Sequence, residues 1–241
     1  MTVLTVIKRE FLSYRTSLIF YVVAGAFLFL AAISFYADLT LSLTVKPIRP
    51  DAIPSFFALG MIFFAPVMTM RTLAEEKREG TMELLLTAPI TDTALVLGKF
   101  MSIWLYFTAL LFSTLTYQYI LLGFGQTQDM GQAMTAYMGM WLYGGASLAV
   151  GMLYSATTEN QIVAAFLCST TLLFLYLGNL VGEVVPNVEL ALILNELSFQ
   201  GHYANTFALG VVRLEDIVYF VGVIAIALFI SIRLVQGQRV N

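Results

Sequence analysis

The sequence predicts an all-α integral membrane protein with six transmembrane helices, and three observations carry that prediction. The chain is 59% hydrophobic and only 11% charged, with a mean hydropathy of +0.85, well above an ordinary globular domain. Its charges leave uncharged runs at 16–37, 52–70, 100–128, 130–158 and 160–182, each longer than the roughly 18 residues that span a bilayer as a helix. A sixth run, 217–232, is shorter and reaches span length only by borrowing apolar residues from before Asp216. The third observation is where the basic residues fall. With six crossings both termini share a side, and that side holds Lys8, Arg9, Arg15, Arg71, Lys77, Arg78, Lys99, Arg233 and Arg239, nine of the twelve. Lys46, Arg49 and Arg213 lie opposite. The positive-inside rule then puts both termini in the cytoplasm, in a multi-pass protein of the plasma (cytoplasmic or inner) membrane. Alternating segments of about ten residues, the mark of a membrane β-barrel, do not occur.

Residues 1–15 read as an interfacial helix. Val3, Leu4, Ile7, Phe11 and Tyr14 follow helical spacing, and Lys8, Arg9 and Arg15 reach toward lipid headgroups. A signal peptide is the rival reading, but the apolar run from Ser17 is too long for it and no cleavage site follows. The first span covers 18–36, and the external loop 38–51 contains Pro47 and Pro50, which exclude a continued helix. Span two, 54–70, passes through Pro66, which membrane helices tolerate as a kink. Span three begins near Leu95, with Trp104 near one interface and Tyr117 and Tyr119 near the other, a spacing that suits an aromatic belt. After a short loop at 123–131, span four carries Gly144, Gly145, Ala149 and Gly151, small residues that let helices approach closely. The turn at 157–161 is tight. Thr158 and Gln161 fit a capping box that starts span five, where Glu159 meets the positive end of the helix dipole. Residues 183–216 are neither polar enough for a plain loop nor apolar enough to cross. Two apolar pieces, 188–194 and 207–212, flanked by Pro186, Gly201 and Gly210, suit short helices dipping into the outer leaflet.

Between spans two and three lies a charged island. Residues 70–99 hold Arg71, Glu75, Glu76, Lys77, Arg78, Glu79, Glu83, Asp92 and Lys99. Gly80 interrupts what would otherwise be a helix continuing out of span two. Thr81 is placed to cap a short new helix at 82–86, which Pro89 stops. Met82, Leu85 and Leu86 then share one face with Glu83 on another, the pattern of a docking surface; a solvated loop whose charges only set topology is the bland alternative.

Most catalytic chemistry is excluded by what the chain lacks. Its single cysteine, Cys168, lies in a span and builds neither a disulfide framework nor a metal site. A single histidine, His202, without cysteines or clustered carboxylates, is a poor metal site. Gly98-Lys99 lacks the earlier glycine and the following Ser or Thr of a phosphate-binding loop, and no HExxH occurs. Nothing assembles a nucleophile, a base and an orienting group, and the spans lack the buried charges that ion-coupled transporters use. Energy for moving a cargo then comes from outside the chain, and the island is the inlet.

The run MRTLAEEKREGTMELLLTAPITDTALVLGKF at 70–100 resembles the signature of ABC-2-type ABC transporter permeases, with EEK, GT, E, LL and PI in the expected register. TENQIVAAF at 158–166 and LSFQGHYANTFALGVVRLEDIVYF at 197–220 are similar to the branch that holds the gliding-motility permeases and the copper-maturation permease serving nitrous oxide reductase. The resemblance implies one transmembrane domain over 1–241, with an N-terminal interfacial elbow helix at 1–15, a cytoplasmic coupling region at 71–93 and an external re-entrant segment at 183–216. It implies a permease subunit, an exporter in the first instance, paired with a second permease copy in a homo- or heterodimer. A separate cytoplasmic ABC ATPase, which binds ATP and Mg, would dock on Glu75, Glu76, Lys77, Gly80, Thr81, Glu83, Leu84 and Leu85 of the coupling helix and its approach. His202, Tyr203 and Arg213 become candidates for an external gate. The chain itself needs no cofactor and no metal and has no catalytic residue. Membrane lipids and an accessory extracytoplasmic protein are further expected partners; nucleic acid is not. The competing classes are an intramembrane enzyme, for which no catalytic set exists, and a non-transporting membrane anchor or scaffold for a cytoplasmic ATPase or a motility or maturation machinery.

Overall fold

Apolar stretches cannot leave peptide groups unpaired where water is absent, and helices pair them within one segment. The computed structural model describes residues 3–42, 49–81, 91–123, 129–184 and 187–240, and among these every regular element is helical. In order they are α1 Val3–Thr16, α2 Leu18–Ser42, α3 Ala52–Thr69, α4 Ala74–Arg78, α5 Asp92–Ser113, α6 Leu115–Gly123, α7 Met130–Thr157, α8 Gln161–Val184, α9 Val188–Leu197, α10 Phe199–Ala204, a 3-10 turn Phe207–Leu209, and α11 Leu214–Val240.

Among the described residues five helices, not six, are long and apolar enough to cross a membrane: α2, α3, α5, α8 and α11. The sequence pattern located the weak crossing in the last uncharged run, but the helix there is one of the five. Helix α11 begins at Leu214, with Glu215 and Asp216 in its first turn, where carboxylates meet the positive dipole end and start the helix rather than end it. The helix outside the apolar five is α7. Its 28 residues, about 42 Å at 1.5 Å each, are diluted by glycine, hydroxyl and amide side chains.

Helix α7 is also the hub, packed against α3, α5, α8 and α11 and buried at most positions from Ala133 to Ala156. Its glycines explain the closeness. A Cβ on Gly144 would stand 2.2 Å from the Phe107 ring, one on Gly151 2.1 Å from Thr69 Oγ1, and one on Gly139 2.4 Å from Phe207. Where lipid supplies no hydrophobic force between helices, such close fits hold the bundle together. Aromatic rings fill the remaining space. Phe27 stacks on Phe57 at 3.8 Å, and Tyr143 meets Phe199, Tyr203 and Phe220 near the other end of the bundle. Helices α2, α8 and α11 instead expose large apolar residues such as Phe29, Phe166 and Phe229, as lipid- or partner-facing helices do.

Several local expectations change. Helix α2 continues to Ser42, so Asp38 is helical and not part of a loop. Trp104 is not a belt residue: it stacks on Trp141 at 4.5 Å and donates its indole N–H to the Trp141 carbonyl. Tyr117 likewise stacks on Phe35, while Tyr119 is exposed. The cap of α8 is Asn160, whose Oδ1 accepts from Ile162 and Val163, and not Thr158, because the side chain one residue before the helix reaches the free N–H groups. Of the two apolar pieces, 188–194 is inside α9, but 207–212 forms only a 3-10 turn, closed by Gly210 in the left-handed region. In α1 the inward face is Val6, Glu10 and Tyr14, while Leu4 and Phe11 point outward.

Candidate functional site

After Thr69 the chain leaves α3 through a turn and enters α4, which lacks a local side-chain cap. A residue from the hub supplies it. Ser155 Oγ, on the last turn of α7, accepts from the N–H groups of Leu73 and Ala74 at 3.1 Å each and from the Thr72 hydroxyl at 3.2 Å. One residue on, the Ala156 carbonyl accepts from the Lys77 ammonium. The short helix is therefore fastened to α7 from both of its ends.

A second fastening runs the other way. Lys99, on α5, has only 3% of its side chain exposed, yet it ends in an amine that must find partners. Its Nζ lies 2.7 Å from Glu76 Oε1 on α4 and 3.2 Å from Glu10 Oε1 on α1. A buried ammonium must be paired, and here the pair spans three elements. Burial works against ionising Glu10, but Lys99 and the Arg9 guanidinium, 2.7 Å away, outweigh it and hold the carboxyl below its ordinary range. Helix α1 is further seated by Val6 against Gly98 and by the Ser102 hydroxyl, which donates to the Ile7 carbonyl at 3.3 Å.

These contacts divide the expected docking residues. Glu76 and Lys77 face inward and act within the chain. Glu75 faces outward, with Arg71 at 3.8 Å and Arg78 at 3.9 Å, long surface pairs of little energetic weight. Gly80 adopts a φ of +69°, a conformation glycine alone takes at no steric cost, and ends the α4 turn there. The Thr81 hydroxyl donates to the Glu76 carbonyl at 3.3 Å. Glu83, Leu84 and Leu85 lie outside the described residues. What α4 leaves exposed adjoins the α7–α8 turn: Arg78, Glu159 and Asn160 border one shallow cleft of about 500 Å³.

At the opposite end, His202 lies between two acceptors, the Asp216 carboxylate at 2.6 Å and the Glu196 carbonyl at 2.9 Å, and stacks on Tyr219. Arg213 borders the same cleft but is exposed and reaches only Glu215, at 3.5 Å. Tyr203 is separated from both, fully buried in the aromatic cluster with its hydroxyl 3.5 Å from Ser55. Beside it Asp51, buried, accepts from Ser55 and Arg49. The three residues marked for a gate thus occupy two environments. Gln132 and Thr135, at the start of α7, donate to the Ala208 and Phe207 carbonyls, so the hub holds this end as well.

Sequence reasoning passed over Glu10, Ser155 and Asp216. A glutamate among the apolar positions of α1 was a signal; Ser155 offered none, being one more small residue in a small-residue helix.

The sequence profile of a family described as ABC-2 family transporter protein matches residues 5–195. Comparison with individually curated proteins gives no match.

Proposed function

Because this chain belongs to the ABC-2 transporter family, we propose that it is the transmembrane permease subunit of an ATP-driven transporter, moved through the charged island by a separate cytoplasmic ATPase. The observation that carries the reading is the double fastening of α4. Ser155 and Lys77 tie it to α7, and Glu76 ties it through Lys99 to α5 and α1. A rigid-body push on the island then moves span ends together instead of bending a loop, which is how packed elements transmit a displacement.

In this reading α7 is the sixth crossing, both termini and the island face the cytoplasm, and α1 lies along that interface as the elbow. The basic residues support this orientation by their excess on the island side. The ATPase carries ATP and Mg, and the permease pathway forms with a second permease copy, in an exporter. Residues 75–85 make the docking approach: the half-buried Glu75 and the exposed Arg78 with Glu83, Leu84 and Leu85 contact the ATPase, while Glu76 and Lys77 relay its motion.

Copurification tests the docking step. Glu83→Lys and Leu85→Asp should each lose the ATPase while the permease still inserts and purifies in normal yield. Retention of the ATPase by both variants overturns the assignment of this surface.

A further inference from the structure

Between α1, the α3–α4 turn and the start of α5 lies a cleft of about 430 Å³. Two buried polar atoms of its lining residues, the Tyr14 hydroxyl and Glu76 Oε2, have no partner among the described residues, and Tyr14 is only 8% exposed. A buried acceptor without a partner forfeits its hydration and gains nothing in return, so the site calls for a donor. The charges agree. Glu10 has both Arg9 and Lys99 beside it, whereas Glu76 has Lys99 alone and only through Oε1, so Oε2 is the carboxylate oxygen left for a further donor. The outer wall carries guanidinium groups: Arg71 is 42% exposed and no closer than 3.8 Å to Glu75, and Arg9 is 52% exposed. Phe20 and Met68 form an apolar side, and Leu18 and Tyr21 beyond them are exposed on the membrane face of α2.

We propose that this cleft binds the headgroup of an aminophospholipid of the phosphatidylethanolamine type, from the leaflet on the island side. The headgroup ammonium donates to Glu76 Oε2, supplying the partner that oxygen lacks. Its phosphate accepts from Arg71 and from the Tyr14 hydroxyl, and its acyl chains run along Phe20 and Leu18 into the bilayer. A choline headgroup brings the positive charge without an N–H to donate, and a glycerol headgroup brings no positive charge. Ethanolamine alone supplies both. The proposal is independent of the coupling reading, because lipid retention is measured on the permease without ATPase or nucleotide.

The test is lipid retention by the purified full chain, measured by native mass spectrometry after exchange into equal amounts of phosphatidylethanolamine, phosphatidylcholine and phosphatidylglycerol. Ethanolamine lipid should be retained about tenfold over the other two, the span of one good hydrogen bond with a charged partner. Tyr14→Phe should lower that retention several-fold without lowering the melting temperature, since the hydroxyl has no partner among the described residues. Glu76→Gln should abolish the preference over phosphatidylglycerol. Equal retention of the three lipids, or an ethanolamine preference unchanged in both variants, overturns the proposal. So does competition by soluble phosphoethanolamine at the same concentration as the lipid, which would identify a free small molecule as the ligand.

Discussion

Replacing Lys99 with methionine removes the cation at the centre of the fastening while keeping most of the apolar stem. Glu10 retains Arg9 at 2.7 Å, but Glu76 Oε1 loses its one ion-pair partner among the described residues, where Glu76 Oε2 already has none. Removing one member of a buried ion pair costs about 3–5 kcal/mol, because the charge left behind stays desolvated. The two carboxylate side chains are 14% and 18% exposed and water reaches them in part, so the low end, about 3 kcal/mol, is expected. For a chain of this size that is a fall in melting temperature of about 6–12 °C. The assay is an intrinsic-fluorescence melt in detergent, run at one scan rate for all variants because the unfolding of such proteins is commonly irreversible. The diagnostic step is the second substitution. Adding Glu76→Gln to Lys99→Met removes the stranded charge and should restore most of the loss, although each single change destabilises. A Lys99→Met shift under about 2 °C, or a double variant as unstable as the single one, refutes the reading of Lys99 as a buried electrostatic tie.

Ser155→Ala strips the acceptor from two buried backbone N–H groups and should destabilise by about 1–3 kcal/mol; in the assembled transporter the ATPase should still copurify, with its turnover no longer stimulated by transport. Gly144→Ala forces a methyl onto the Phe107 ring and should cost about 1–3 kcal/mol, whereas Gly25→Ala and Gly222→Ala, where nothing lies within 4 Å, should leave the melting temperature unchanged or raise it. Glu10 has a lowered folded-state pKa, so its contribution to stability is complete above the ordinary carboxylate pKa and lost as pH falls through the folded value. Melts carried from neutral pH down to about pH 3 should therefore fall less steeply below the ordinary carboxylate pKa for Glu10→Gln than for the parent.

The helices were legible because apolar runs have few other structures open to them, and the Gly80 break was legible because only glycine takes its φ freely. The inward face of α1 was not. In lipid an outward leucine costs nothing, so hydrophobic spacing cannot separate the protein side, Val6 and Tyr14, from the lipid side, Leu4 and Phe11. Trp104 misled for a related reason: an indole with a single donor suits a membrane interface and a stacked helix contact equally well, and its partner Trp141 is brought to it only by the α5–α7 packing. The pairing of Lys99 with Glu10 spans 89 positions, and neither residue names the other. Ser155 is the extreme case. Its function depends on where the turn after α3 presents its free N–H groups, a property of the assembled chain and of no single stretch.

Polar contacts hold both ends of α7, and its closest packing falls between them. Ser155 and the Ala156 carbonyl hold the island end, and Gln132 and Thr135 hold the 207–208 segment at the other. Between them Gly139, Gly144 and Gly151 are each locked against one bulky or branched side chain, with less than 3 Å available to a methyl. An interior packed this closely does not deform smoothly; it moves as a body or changes its arrangement. In the coupling proposed above, a displacement entering at Ser155 would be carried along α7 to the 3-10 turn and the aromatic cluster of Tyr143, Tyr203 and Phe220. The low apolarity that leaves α7 outside the five apolar helices would then suit it to this work: its glycines make it a poor lipid-facing helix and a closely packed central one.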